Sequence, residues 1–178
     1  MRTRRQALQA ACALALISQG TAHAAPELSE LRQQSKAQMR FFGLLIYDIR
    51  LWSREPIDAQ NWSAQELALE LQYARSLSGR EIAKRSLSEM RRQVDISNEQ
   101  GQKWLSEMEA AFPDVREGDR ISGLQTPGEG VRFFVNGRLQ RRIADPMFAR
   151  LFFGIWLAPQ SSEPGLRQQL LGGRREGT

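Results

Sequence analysis

The segment Arg40-Phe41-Phe42-Gly43-Leu44-Leu45-Ile46-Tyr47-Asp48-Ile49-Arg50-Leu51-Trp52 constrains the fold more than any other stretch of the chain. Eight of its thirteen residues are large and apolar (Phe41, Phe42, Leu44, Leu45, Ile46, Ile49, Leu51 and Trp52), yet Arg40, Asp48 and Arg50 stand among them. Residues 38–53 read as one long strand, bent at Gly43, where the missing side chain gives no resistance to a bulge. Strand parity places Met39, Phe41, Leu45, Tyr47, Ile49 and Leu51 on one face, which is a clean core face. Arg40, Phe42, Leu44, Ile46, Asp48, Arg50 and Trp52 share the other, apolar in the middle and charged at both ends. Such a face suits the border of a cleft. The competing reading makes Asp48 and Arg50 an ion pair or a wet strand end, and turns Arg40 to solvent.

The rest of the chain divides into runs of like elements. Residues 27–35 read as a short strand. Residues 66–73 alternate, with Leu67, Leu69, Leu71 and Tyr73 on one side and Ala68, Glu70 and Gln72 on the other, as in a strand with one wet face. Ser78-Gly79-Arg80-Glu81 and Ser97-Asn98-Glu99-Gln100 are capping boxes that open two helices. The first runs to about Gln93. The second carries Trp104, Leu105, Met108 and Phe112 as a core-facing stripe and stops at Pro113. Strands follow over 119–125, 131–135 and 139–143, the last two joined by the hairpin signal Asn136-Gly137. Asp145-Pro146 starts a helix to Leu157 that is apolar nearly all round, and so buried on more than one side. A last helix begins at Glu163-Pro164 and ends near Gly172-Gly173. Segregated runs of strands and helices predict an α+β fold with a largely antiparallel sheet.

The first residues read as an export signal. Arg2, Arg4 and Arg5 precede an apolar stretch from Ala7 to Ile17, too short to span a bilayer, and Ala22-His23-Ala24 offers a cleavage site after Ala24. The segment Thr3-Arg4-Arg5-Gln6-Ala7-Leu8 also fits a twin-arginine signal loosely, so the route is Sec or Tat. The expected organisation is a signal peptide over 1–24, one domain over 25–173 and a flexible tail over 174–178, in the periplasm. Cleavage would remove the only Cys and the only His, Cys12 and His23. That excludes a Cys nucleophile, a Ser-His-Asp triad, a His base and a Cys/His metal site within the mature chain. It also removes three Arg, leaving 22 basic against 20 acidic residues. The clusters Arg138/Arg141/Arg142 and Arg174/Arg175 then read as solvated surface, and no nucleic-acid partner is implied. No second apolar run is long enough to cross a membrane.

Three stretches carry a resemblance to a known family. They are Phe42-Gly43 through Ile46-Tyr47-Asp48-Ile49-Arg50-Leu51-Trp52; Phe112-Pro113-Asp114-Val115 with Gly118-Asp119-Arg120; and Phe133-Phe134-Val135-Asn136-Gly137 into Asp145-Pro146-Met147-Phe148-Ala149 and Phe153-Gly154-Ile155-Trp156-Leu157. Together with Ser162-Glu163-Pro164, Leu166-Arg167 and Leu170-Leu171, they make the chain similar to bacterial secreted chalcone isomerase-like proteins. The resemblance implies an open-faced β-sandwich, an antiparallel sheet with helices packed on it and a cleft between them. In plant members that cleft either closes a flavanone ring or holds a fatty acid through an Arg and a Tyr. By resemblance, Arg40 would hold an anionic head, Tyr47 or Asp48 would be the second polar group, and Tyr73 could add a hydroxyl. The expected partner is a small hydrophobic or amphipathic ligand, with no cofactor and no metal. Neither Ser97-Asn98 nor Ser106 reproduces the polar pair of the plant enzymes. The expectation is therefore a binding protein for an anion such as a fatty acid, with an intramolecular lyase or isomerase of the ring-closing type as the alternative.

Overall fold

The computed structural model describes residues 26–172. The expected signal peptide, the tail, Cys12 and His23 lie outside these residues. Six strands form one antiparallel sheet in chain order: β1 (Arg32–Phe41), β2 (Leu44–Ser53), β3 (Leu67–Tyr73), β4 (Arg120–Thr126), β5 (Gly130–Val135) and β6 (Arg138–Ile143). Helices α1 (Gly79–Met90) and α2 (Asn98–Ala111) connect β3 to β4, and α3 (Pro146–Leu157) and α4 (Pro164–Leu171) follow β6. The α+β architecture with an antiparallel sheet agrees with the pattern of the sequence.

The long strand expected over 38–53 is instead the two arms of a hairpin. Phe41 pairs with Leu44, and the two residues between them, Phe42 and Gly43, have φ of 47° and 79°. Two positive φ values are what a two-residue turn needs to match the twist of its strands. Glycine adopts this at no steric cost; a phenylalanine does so under strain. A bulge does occur, but at Ile46: Met39 faces Tyr47 while Arg40 faces Leu45. The expected strand over 27–35 is a short 3-10 turn at Pro26–Leu28 followed by the start of β1.

Register then assigns the faces. Ile49, Leu71, Ile121 and Val135 form one cross-strand row, and Leu51, Leu69, Gly123 and Phe133 the next. Both rows meet the helices. Gly123 leaves room there, since a Cβ would stand 3.2 Å from the Phe133 ring and 3.4 Å from Phe153. On the opposite face, Leu28 and Leu31 cover Ala68 and Leu124 beside Trp52 and Phe134, a second and smaller apolar cluster.

The helix starts differ in how their backbone is satisfied. Ser97 accepts from the Gln100 N–H at 3.2 Å and Asp145 accepts from Phe148 N–H at 3.0 Å, as the sequence implies. The box at Ser78 does not form: Ser78 makes no side-chain cap, and Asp114 accepts the Gly79 N–H at 2.9 Å instead. The reason is proximity. The chain leaving α2 passes so close that a Cβ on Gly79 would lie 2.1 Å from the Phe112 carbonyl oxygen. Gly79→Ala is therefore expected to destabilise the fold by roughly 3 kcal/mol, because rigid backbone must move to admit one methyl. Thermal or urea unfolding checks this, and a loss below about 0.5 kcal/mol would contradict it.

Candidate functional site

The four residues singled out from sequence separate onto two faces of the sheet. Tyr47 and Tyr73 are direct cross-strand partners on the helix face, with ring centroids 5.8 Å apart in an edge contact. Arg40 and Asp48 are not with them. Asp48 pairs with Gln38 and Gln72 on the opposite face and accepts from Gln38 Nε2 at 2.9 Å. Arg40 is exposed at the hairpin and donates to Gln38 Oε1 at 3.0 Å and to the Gly43 carbonyl at 3.1 Å. The expectation that Arg40 lies in a hollow between sheet and helices is thus corrected. The charged face of β2 looks away from the helices, and the turn at Phe42-Gly43 carries Arg40 to the sheet's end.

The charges in β2 have a structural partner that the sequence reading did not name. Arg50 donates to Glu70 Oε1 at 2.9 Å and to Gln72 Oε1 at 3.1 Å, and Arg120 approaches Glu70 Oε2 at 3.9 Å. The Glu70 side chain is only 3% exposed. A carboxylate held this dry in mid-sheet needs its cations close by. Antiparallel alignment of the two alternating strands was the available signal, since it brings Arg50 opposite Glu70.

On the helix face, Trp156 of α3 donates its indole N–H to Tyr47 Oη at 3.0 Å. Trp156 was legible only as one more apolar residue of its helix. Beyond it the layer is aromatic. Phe133 meets Phe112, Phe148 and Phe152 at centroid distances of 5.0, 6.3 and 4.9 Å, and Phe152 meets Trp156 at 5.6 Å. Tyr47 and Tyr73 therefore place two phenol groups at the rim of an apolar layer. Burial pushes the Tyr47 phenol up to about 12, with the Trp156 hydrogen bond and Arg85 pulling it back and Glu163 and Glu89 pushing it further. Burial raises Tyr73 too, and the neighbouring Tyr47 adds to it. Both hydroxyls are neutral at physiological pH. The indole occupies one lone pair of Tyr47 Oη, so its own proton remains available to an acceptor. Among the described residues no group of three or more His, Cys, Asp or Glu could hold a metal ion. A polar recess of about 700 Å³, lined by Glu30, Arg32, Arg54 and Glu55 among others, opens at the far edge of β1 and β2. It is remote from the phenols, and its charges suit water.

Comparison with known proteins bears on the family and the fold. A family model described as chalcone isomerase-like matches residues 41–172. An uncharacterised protein of Haemophilus influenzae is 32% identical over 127 residues, which cover 71% of this chain and 61% of that protein. The chain thus spans about three fifths of that relative's length. The crystal structure of an Arabidopsis thaliana fatty-acid binding protein superposes with a TM-score of 0.61, covering 82% of this chain and 93% of that one, at 12% identity. At that identity the likeness concerns the fold, and it matches the sheet-and-helix architecture expected from the sequence.

The chain has only two tyrosines, so its phenol absorbance reads this site alone. Alkaline titration at the tyrosinate band should show no ionisation through pH 10, where free tyrosine is half ionised. Unfolding should accompany or precede the first step near 12. The sign follows from linkage: the folded state keeps protons that the unfolded state releases, so stability falls as pH rises from about 10 to about 12. Tyr47 accounts for roughly 2–3 kcal/mol of that loss. A reversible midpoint near pH 10 in the folded protein would contradict the burial of both rings.

Proposed function

The chain belongs to the chalcone isomerase-like family, and from that premise we propose that it is a non-catalytic protein binding a small amphipathic anion of the fatty-acid type between sheet and helices. The observation that carries this is the pair of neutral phenols, Tyr47 and Tyr73, set in an apolar layer. A carboxylate entering such a layer must be given hydrogen bonds or it will not leave water. Two phenol protons answer that need, and Arg85 adds positive charge at this end, offset in part by Glu89 and Glu163. The acyl tail would lie along the helix face of β1 beside Met39, which faces Tyr47 and is only partly buried. The Arabidopsis structure, described as a fatty-acid binding protein, supports the ligand class.

The same features argue against ring closure. That reaction needs a group that positions a phenolate and stabilises an enolate as charge develops. Phenols held neutral by burial are poor bases at neutral pH. We also infer export to the periplasm from the basic and apolar pattern of residues 1–24.

Extraction of the purified protein and mass spectrometry should find acyl species bound, and the lipid-free protein should take up oleate. Tyr47→Phe with Tyr73→Phe keeps the rings and removes both donors. It should weaken oleate binding about tenfold or more, the worth of one or two hydrogen bonds to a charged group. Equal binding by the double variant, or a wild-type protein that neither carries lipid nor takes it up, would overturn the reading. Naringenin chalcone is expected to cyclise at its spontaneous rate. Cell fractionation should find the chain in the periplasm beginning at Ala25; a cytoplasmic chain beginning at Met1 would reject export.

A further inference from the structure

The tip of the β1–β2 hairpin exposes its largest apolar side chains. Phe42 is 91% exposed, Phe41 58% and Leu44 54%. The Phe41 and Phe42 rings touch edge to face, with centroids 4.5 Å apart. The tip overhangs the sheet: β3 pairs with β2 only from Tyr47 onward, and the bond from Ala74 N–H to the Ile46 carbonyl lies at the limit of that edge. Phe42 also holds the positive φ that Asn or Gly adopts more readily in such a turn. The position is thus unfavourable twice, once in backbone conformation and once in hydration.

We propose that this tip is a membrane-contact element, with Phe41, Phe42 and Leu44 entering the interfacial zone of an anionic lipid surface. The charge pattern favours that partner. Arg40 stands at the base of the tip with its guanidinium held by two neutral oxygens, so its positive charge is retained. Arg75 follows Ala74 on the adjoining edge, and no acidic residue occurs over 40–47 or 74–80. Cations around an apolar knob complement anionic head groups, and rings of this kind settle at the boundary between head groups and acyl chains. Three side chains are far too few to span a bilayer, and among the described residues no helix is long and apolar enough to do so. A second copy of the chain is a poorer occupant, because a stable dimer buries about 800 Å² on each partner and three side chains supply much less.

Docking in this way would also orient the molecule. Met39 faces Tyr47 across the strands just behind the tip, so the end of the sheet–helix layer that holds the phenols would lie against the lipid. The grounds for the tip are its exposure and charge, which stand whether or not the proposed ligand is correct.

Flotation of the purified protein with vesicles of phosphatidylcholine and phosphatidylglycerol tests the proposal, against vesicles of phosphatidylcholine alone. The wild-type protein should float with the anionic vesicles and be released by salt. Phe42→Asn suits the positive φ and so preserves the turn; its melting temperature should be unchanged or higher. Its vesicle affinity should fall about tenfold or more, as one ring is withdrawn from the interface. Uptake of soluble oleate by Phe42→Asn is read in parallel and should match the wild type, which keeps this proposal separate from the ligand site. Loss of oleate uptake together with vesicle binding, in a folded variant, would place Phe42 in the ligand site and overturn the separation. A wild-type protein that stays with the buffer, or a Phe42→Asn protein that floats equally, would overturn the membrane role. So would a wild-type dimer in ultracentrifugation that ignores vesicles and becomes monomeric on Phe42→Asn.

Discussion

Phe133 rises from β5 into the space between Phe112 at the end of α2 and Phe148 and Phe152 of α3, and the layering of the molecule follows from that contact. Each such ring contributes roughly 1.5–3 kcal/mol by leaving water, with a further increment from edge-to-face geometry. Gly123 on the neighbouring strand gives the ring its space. Asp145 fixes the start of α3 through the Phe148 N–H, and its second oxygen accepts the Trp104 indole at 2.9 Å, which ties α2 to the same point. With α3 seated, Trp156 is delivered two turns along the helix to Tyr47.

The sheet keeps its charges and its phenols on opposite faces. Arg50, Glu70 and Arg120 satisfy one another away from the helices, so no ion has to be accommodated inside the aromatic layer. At the β2 end of that layer two phenols and the Trp156 indole meet. Under the proposed function, this separation is what lets the layer take a ligand that brings its own single charge and a long apolar body.

Much of this was legible in the sequence. The apolar helix Met147–Leu157 stated its surroundings directly, whereas the alternation over Leu67–Tyr73 gave the core side but not the other: the face read as wet is covered, Ala68 by Leu28 and Leu31 and Glu70 by its arginines. Asp145-Pro146 and Ser97 marked helix starts correctly. The β1–β2 turn was not legible, since Phe-Gly lacks the Asn or Asp that announces such a turn, and the apolar run continued through it. Reading one strand in place of two made Arg40 appear internal. Parity sorted Tyr47, Ile49 and Leu51 from Asp48, Arg50 and Trp52 correctly, but the bulge at Ile46 puts Leu45 opposite Arg40 instead of on the Tyr47 face, and parity left open whether the charged face also bordered a helix-lined cleft. The cross-strand row resolves that, since Tyr47 and Ile49 continue into Tyr73 and Leu71, which meet α3 and its neighbours. The cap at Gly79 was missed because its acceptor, Asp114, lies 35 residues away and only the tertiary fold brings it near.

The account turns on whether the two phenols receive the ligand's head group. Tyrosine labelled with ¹³C at Cζ gives two resonances, one for each of the two tyrosines in the chain. On titration of oleate into the lipid-free protein, both resonances should move together and saturate at one ligand per chain, as their protons turn toward a carboxylate. Oleate that binds while both resonances stay fixed would show that the anion rests elsewhere and would contradict the account.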